Sequence, residues 1–171
     1  MNGLIQSKKQ IEKLKALEEK QKKSDEKFMC AALKQARVSL KNGEIPVGAV
    51  IVKDGKIIAR GSNKKESKNC AVYHAEINAL ISASKKLGWR LDGCEMFVTL
   101  EPCAMCAGAI VSSRIKRVVF GANQTDSGAC GTKNELNVLL NSGLNFKTEA
   151  TGGVLKNECL EILREFFVSR R

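Results

Sequence analysis

The sequence lacks the features that mark membrane, secreted and disulfide-stabilised proteins. No uncharged apolar run approaches the roughly 18 residues that a membrane helix requires, and the amino-terminal residues contain no continuous apolar stretch of a secretory signal. The seven cysteines are an odd number and cannot all pair, and a chain of 171 residues is long enough to fold on a hydrophobic core without disulfide bonds. We therefore expect a soluble cytoplasmic protein with reduced cysteines and no membrane attachment.

Aromatic residues are also scarce, at 5%, and the chain contains one histidine. The content of 43% hydrophobic and 27% charged residues is nevertheless that of a globular protein, which excludes a collagen-like or wholly disordered chain. Lysine and arginine exceed aspartate and glutamate by 29 to 18, giving a formal net charge of +11. Such an excess is compatible with a nucleic-acid partner and also with an ordinary solvated surface.

Composition separates the first residues from the rest of the chain. Residues 1–24 are rich in lysine and glutamate, and their one apolar helical stripe, formed by Ile11, Leu14 and Leu17, is too thin for a core. We predict a basic helical or flexible extension over residues 1–24 and a single domain over residues 25–171. Two interpretations of the extension remain open, a solvated frayed helix and a basic arm for RNA.

The pattern of the domain predicts strands alternating with helices, and therefore a sheet covered by helices. Ser24 and Asp25 are candidate caps of a first helix, which Asn42-Gly43 would end. Two β-rich runs around Asp54-Gly55 predict a hairpin. Helix, strand, helix, strand, strand and helix are then expected over residues 74–86, 96–100, 104–112, 117–121, 146–150 and 154–168.

The single histidine and a Cys-x-x-Cys pair form the most informative motif. His74 begins a His-x-Glu sequence at the predicted start of one helix, and Cys103 and Cys106 open another helix directly after a strand. The helical spacing of the two cysteines points both sulfurs in one direction. Three interpretations compete: a redox dithiol, a structural zinc site with Cys70 as fourth ligand, and a catalytic zinc site with three protein ligands and a fourth position for water.

Local chemistry favours the catalytic zinc site. Two thiolates balance the charge of Zn²⁺ while a neutral imidazole adds none, and the amino-terminal ends of helices lower the pKa of thiols. Glu76, two residues after His74, is placed to act as the general base. A redox dithiol does not need the histidine or Glu76, and a structural site does not need Glu76.

His-x-Glu followed by Pro-Cys-x-x-Cys is the signature of zinc deaminases. Beyond the signature, the sequence resembles bacterial tRNA-specific adenosine deaminases over most of residues 26–171. Cytidine deaminases share the spacing but differ in the flanking sequence. The matching stretches are IPVGAVIV, Gly61-Ser62-Asn63, HAEINAL, VTLEPCAMCAGAI, SSRIKRVVFGA and the final helix with Phe166-Phe167.

The resemblance implies a three-layer α/β/α cytidine deaminase-like fold with a central mixed sheet of about five strands. It implies a homodimer with one Zn²⁺ per subunit, held by His74, Cys103 and Cys106, and Glu76 as the proton shuttle. The implied reaction is hydrolytic deamination of adenosine to inosine at wobble position 34 of a tRNA anticodon stem-loop. An arginine tRNA with an ACG anticodon is the expected substrate.

The resemblance also implies substrate contacts. Asn63 would hydrogen-bond the base and Val47 would line its pocket, although Asn63 also fits a turn after a strand and Val47 a core position. Gln124 departs from the acidic residue that is common in relatives, so we expect RNA recognition to differ there. The implied RNA contacts are Asn123, Gln124, Phe167, Arg170 and Arg171.

Two other functions remain in competition with tRNA deamination. The first is deamination of a free base or nucleoside such as guanine, which the same zinc and glutamate would serve. The second is a non-catalytic RNA-binding subunit that keeps zinc structurally, and the intact Glu76 argues against it.

Overall fold

The computed structural model describes residues 2–124, 126–131, 137–141 and 146–170. In these ranges no helix combines the length and the apolar character needed to cross a membrane. The elements, in chain order, are α1 (Asn2–Lys41), β1 (Gly48–Lys53), β2 (Lys56–Ser62), α2 (Ala75–Leu87), β3 (Glu95–Leu100), α3 (Ala104–Ser112), β4 (Arg117–Ala122), α4 (Val138–Asn141), β5 (Glu149–Gly152) and α5 (Lys156–Val168).

Helix α1 is continuous, so the prediction that it begins at a Ser24-Asp25 cap is wrong. The lysines, glutamates, leucines and glutamines before Ser24 are good helix formers, and their propensity carries the helix through both candidate caps. Residues 9–23 are exposed and burial begins at Asp25. The predicted end is confirmed, because the helix stops at Lys41 and Gly43 has a left-handed φ of 71°.

The Asp25 carboxylate forms an ion pair instead of a cap. Arg117 Nη1 and Nη2 donate to its two oxygens at 2.9 and 2.6 Å, and Arg117 Nε donates to Glu95 Oε2 at 2.7 Å. Gln21 Nε2 adds a hydrogen bond to Asp25 at 2.9 Å. These contacts attach α1 to β3 and β4 at the point where the exposed part of the helix leaves the domain.

The sheet has the order β2-β1-β3-β4-β5, with antiparallel pairing on both sides of β1 and parallel pairing among β3, β4 and β5. The hairpin prediction is confirmed, since Asp54 and Gly55 have φ values of 50° and 71°, as a type I′ turn requires. Side chains alternate between two cores: Ile51 packs with α2 and α3, whereas Val52 packs with α1 and α5. The three-layer mixed-sheet prediction is confirmed.

Two details near the carboxyl terminus differ from expectation. The last strand lies at Glu149–Gly152 rather than 146–150, and the short helix α4 was not predicted. Strand β5 is a mostly exposed sheet edge, so it lacks the alternation of buried and exposed residues that identifies a strand in sequence.

The topology places the candidate residues together. The parallel strands β3 and β4 have their carboxyl ends on the same side of the sheet, and α3 begins there because it follows β3 directly. The first residues of α2 reach the same side, as the contact between His74 and the cysteines of α3 shows. Ligand sites in α/β sheets occur on this side, beyond the carboxyl ends of parallel strands.

Candidate active site and metal centre

Two helix amino-termini supply the metal-ligand candidates. His74 is the N-cap of α2, Cys103 is the N-cap of α3, and Cys106 lies in the first turn of α3. His74 Nδ1 lies 3.7 Å from Cys103 Sγ and 3.5 Å from Cys106 Sγ, and all three ligand atoms fall within 4.8 Å of one another. The structure thus brings together residues that are up to 32 positions apart in the chain.

The spacing of these atoms fits zinc. Zn–N bonds of about 2.0–2.1 Å and Zn–S bonds of about 2.3 Å at tetrahedral angles put nitrogen and sulfur roughly 3.6 Å apart. The two measured separations, 3.5 and 3.7 Å, bracket this value. Cys70 is half-buried and is not in the group, so among the residues described here the four-ligand structural site lacks its fourth ligand.

The two thiols have opposite proton affinities. A hydrogen bond from the Cys106 thiol, opposed by burial and assisted by His74, lowers the pKa of Cys103 to about 4. The same hydrogen bond, together with burial, raises the pKa of Cys106. The hydrogen bond with Cys103 likewise raises the pKa of His74. A metal ion would therefore meet Cys103 as a thiolate, and Cys106 would have to give up a proton to become a ligand.

Glu76 lies in the first turn of α2, next to these ligands. Its side chain is 4% exposed, and burial raises its pKa although the neighbouring His74 opposes that shift. A carboxyl group that holds a proton more tightly than usual in a cavity is suited to general acid–base catalysis.

A cavity of about 230 Å³ opens beside the candidate metal ligands. It contains the base-contact and pocket residues expected from the sequence, Asn63 and Val47, and Gln124 forms part of its wall. Val47 also packs against the core, as its alternative interpretation expects, and its contact with a bound base stays a prediction. The cavity is lined by Ile45, Val47, Asn63, Lys65, His74, Ala75, Glu76, Leu100, Glu101, Cys103, Gln124 and Ser127.

Asn63 presents an unpaired acceptor to this cavity. Its side chain is 6% exposed, its Nδ2 donates to the Ile45 carbonyl at 3.3 Å, and its backbone N–H donates to Ser39 Oγ at 2.8 Å. Within the described residues, Asn63 Oδ1 is buried without a hydrogen-bond partner. A turn role explains the backbone but not this oxygen, which a donor on a bound ligand would satisfy.

The remaining RNA-contact candidates lie at or beyond the cavity edge. The Gln124 amide donates to the Ser127 hydroxyl, whereas Asn123 and the exposed Phe167 do not line the cavity. Arg170 donates to the Gly43 carbonyl at 2.5 Å, two residues before the cavity residue Ile45. Arg171 lies outside the described residues.

Sequence reasoning missed the role of Glu101, which holds the loop after β4. Glu101 is 2% exposed; its Oε2 accepts the Gln124 N–H at 3.1 Å and its Oε1 accepts the Cys130 N–H at 3.2 Å. Gly128 packs so closely that an added Cβ would lie 2.6 Å from Glu101 Oε2. The available signal was its position directly before Pro102-Cys103, where a charged residue ends a buried strand.

Glu44 holds the loop between β2 and α2 in the same way. Its buried carboxylate accepts the Glu66 N–H at 3.0 Å and the Ser67 N–H at 2.7 Å. Burial alone would raise the pKa of Glu44, but the hydrogen bonds from Ser67 and Glu66 outweigh burial and lower it. Two buried carboxylates thus fix two loops that contribute Lys65 and Gln124 to the cavity lining.

Comparison with curated proteins identifies similar enzymes. The chain is 45% identical over 144 residues to the tRNA-specific adenosine deaminase of Bacillus subtilis, covering 84% of this chain and 88% of that protein. It is 45% identical over 149 residues to the protein of the same name from Haemophilus influenzae, covering 86% and 85%.

Solved structures show the same fold. One, from work on A-to-I editing by tRNA:A34 deaminases at the wobble position of transfer RNA, matches with a TM-score of 0.74 at 38% identity, covering 79% of this chain and 97% of that chain. A guanine deaminase from Nitrosomonas europaea matches with a TM-score of 0.70 at 29% identity, covering 84% of each chain. The family described as the cytidine and deoxycytidylate deaminase zinc-binding region matches residues 22–122. The chain therefore belongs to this zinc-dependent deaminase family and, within it, to the tRNA-specific adenosine deaminases.

Proposed function

We propose that this chain deaminates adenosine hydrolytically to inosine at wobble position 34 of tRNA, with an arginine tRNA bearing an ACG anticodon as substrate. The observation that carries the deaminase chemistry is the content of one cavity. It combines the His74, Cys103 and Cys106 donor group, the buried carboxyl of Glu76 and the free acceptor of Asn63.

Each of these residues has a distinct task. His74, Cys103 and Cys106 would hold one Zn²⁺, which supplies a nucleophilic oxygen from water at neutral pH. Glu76 would transfer the two protons of the attacking water one after the other, the first to the ring nitrogen and the second to the amino group, which leaves as ammonia, and its burial keeps these protons from bulk water. Asn63 Oδ1 accepts a hydrogen bond from an N–H of the base and so orients the ring.

Two lines of support favour tRNA over a free base. Relatives 45% identical to this chain over more than four fifths of its length are named tRNA-specific adenosine deaminases. The net charge of +11 favours a polyanionic substrate, and a free base has no phosphates. Guanine deamination is the second candidate, because a guanine deaminase shares the fold at 29% identity.

The deciding experiment measures inosine at position 34 of the ACG-anticodon arginine tRNA, with guanine and free adenosine as parallel substrates of the zinc-loaded protein. Inosine in the tRNA alone is the expected result. Turnover of guanine with inert tRNA would retain the deaminase chemistry and overturn the substrate. Zinc binding without turnover of any of the three would favour the non-catalytic subunit.

The homodimer is also a proposal, and an exposed apolar face of α2 and α3 supports it. Ile81 and Trp89 are 47% and 59% exposed, and they line a shallow hollow together with Leu80 and Ala109. Exposed apolar patches of this kind are typical of subunit interfaces. Light scattering should give twice the 18.7 kDa chain mass, and Ile81→Asp should reduce it to that of one chain.

A further inference from the structure

A hollow surface outside the cavity follows strand β2, between helices α1 and α2. It consists of two adjoining depressions of about 290 and 510 Å³ that share Gln35 and Arg60 in their walls. We call this surface the basic groove. Its charged lining residues are Lys27, Lys34, Arg60, Lys64 and Lys85.

The basic groove carries charge of one sign. Neither depression has an aspartate or glutamate in its lining. Within the described chain, none of the five cations forms an ion pair, and all five are exposed. The depression beside β5 differs, because Glu18, Asp25 and Glu26 line it together with Lys22 and Arg117. The positive charge of the basic groove is therefore a local property and not only a reflection of the basic composition.

The positively charged lining indicates a polyanion rather than an added β-strand. Strand β2 is a sheet edge, but Lys86 Nζ donates to the Ile58 carbonyl at 2.6 Å and occupies part of that edge. Charged lysines on an edge strand oppose pairing with another strand. Lysine and arginine side chains without acidic neighbours are instead the groups that neutralise nucleic-acid phosphates.

The basic groove begins at the rim of the cavity beside the candidate metal ligands. Ser62 and Lys64 belong to the groove, while the intervening Asn63 and the following Lys65 line the cavity. From this end the groove follows α1 from Asn42 back to Lys27, which is 15 residues or about 22 Å of helix. A nucleic acid with one base in the cavity can therefore continue into the groove.

We propose that the basic groove binds backbone phosphates of the tRNA body that lie beyond the anticodon loop. The proposal rests on the proposed function, because it assumes that the occupant of the cavity belongs to a tRNA. Lys64 would meet phosphates close to the loop, and Arg60, Lys34 and Lys27 would meet phosphates successively further along the stem. Lys85 also lines the hollow of the proposed dimer face, so the proposal does not depend on it. The groove thus distinguishes a whole tRNA from its isolated loop.

The test compares two RNAs and two variants of the full chain. The RNAs are the complete ACG-anticodon arginine tRNA and a hairpin that carries only its anticodon loop and adjoining base pairs. The groove variant is K27E/K34E/R60E. The control variant, K116E/K147E/K156E, changes the net charge equally at exposed positions near β4, β5 and α5, by the opposite sheet edge. Thermal unfolding of each variant verifies that it is folded.

We expect the groove variant to lose affinity for the complete tRNA but not for the hairpin. Each lost phosphate contact lowers the slope of log Kd against log salt by about 0.7 to 0.9, so three contacts lower it by roughly 2 to 3 and raise Kd about tenfold or more. The hairpin, which does not reach these three residues, should keep its Kd and its slope. The control variant should affect the two RNAs equally and less.

Three results would overturn the proposal. An equal loss on both RNAs would place the contacts at the anticodon loop, and an equal loss in the control variant would indicate general attraction. Unchanged tRNA affinity would assign the groove to another partner, such as an acidic protein. The binding measurement does not depend on turnover. If the protein made no inosine but the groove variant still lost affinity for the complete tRNA and not for the hairpin, only the deaminase proposal would be refuted.

Discussion

Replacing Asn63 by alanine separates a substrate-binding role from a structural one. The variant loses the hydrogen bond to the Ile45 carbonyl, worth about 0.5–1.5 kcal/mol, but it also removes a buried acceptor whose lack of a partner costs about 1–3 kcal/mol. These effects oppose each other, so the free energy of unfolding should change little. The bound base loses its acceptor, and an unpaired buried N–H at about 1–3 kcal/mol corresponds to a 5- to 150-fold fall in kcat/KM.

Asn78 offers a matched control in the same region. Its Nδ2 donates to the Ser62 carbonyl at 2.9 Å and to the Tyr73 carbonyl at 3.2 Å, and it lies in the wall of the basic groove as an uncharged residue rather than in the cavity. Asn78→Ala should therefore lower the free energy of unfolding by about 1–3 kcal/mol with a smaller effect on kcat/KM. Denaturant unfolding and steady-state kinetics on the same preparations give both quantities. If Asn63→Ala lost stability and activity in the same proportion as Asn78→Ala, the substrate-binding role of Asn63 would be refuted.

Four further predictions follow from the site and from the extension. Glu76→Gln should retain one zinc per subunit by elemental analysis but lose at least about 10²-fold in kcat, and loss of zinc would instead make Glu76 a ligand. Cys70→Ser should keep the metal content that Cys106→Ser loses, and equal losses would favour a four-ligand site. Deleting residues 1–20, which spares the Gln21–Asp25 bond, should raise the KM for tRNA and flatten its salt dependence while kcat stays constant; an unchanged KM would exclude the RNA-arm interpretation. Because the pKa of Glu44 is lower in the folded state, this carboxylate contributes stability above its unfolded-state pKa, and that contribution is lost as the pH falls through its folded-state pKa. In Glu44→Gln the free energy of unfolding should therefore fall less steeply below about pH 4.5 than in the wild type. An unchanged acid profile in the variant would contradict this assignment.

The parts of the fold that sequence predicted are those fixed by neighbouring residues. Asp54-Gly55 sets the hairpin because both residues adopt a left-handed φ in the turn, a local requirement. The proximity of the candidate metal ligands was predictable because His74 and Cys103 each begin a helix. Ser24 and Asp25 failed as a cap because the residues before them continue the helix, and the Asp25 carboxylate binds Arg117, which lies 92 residues away in the chain.

The features that sequence did not predict depend on distant partners or on exposure. Glu101 acts on Gln124 and Cys130, which lie 23 and 29 residues further along the chain, so its position before Pro102-Cys103 could mark it as unusual but could not show which loop it holds. The free oxygen of Asn63 becomes visible only when the other polar groups around it have been paired. Strand β5 was misplaced because an exposed edge carries no alternating pattern.

The unbroken course of α1 gives the amino-terminal extension a fixed reach. A flexible tether would sample all directions, but a helix anchored at Asp25 by Arg117 behaves as a rod with a defined origin. From Lys41, near the cavity, to Lys9 the rod measures about 48 Å. If the RNA-arm interpretation holds, lysines along this helix lie at fixed distances from the cavity, so that a free purine would contact none of them whereas an RNA that extends far enough from its reacting base would contact several.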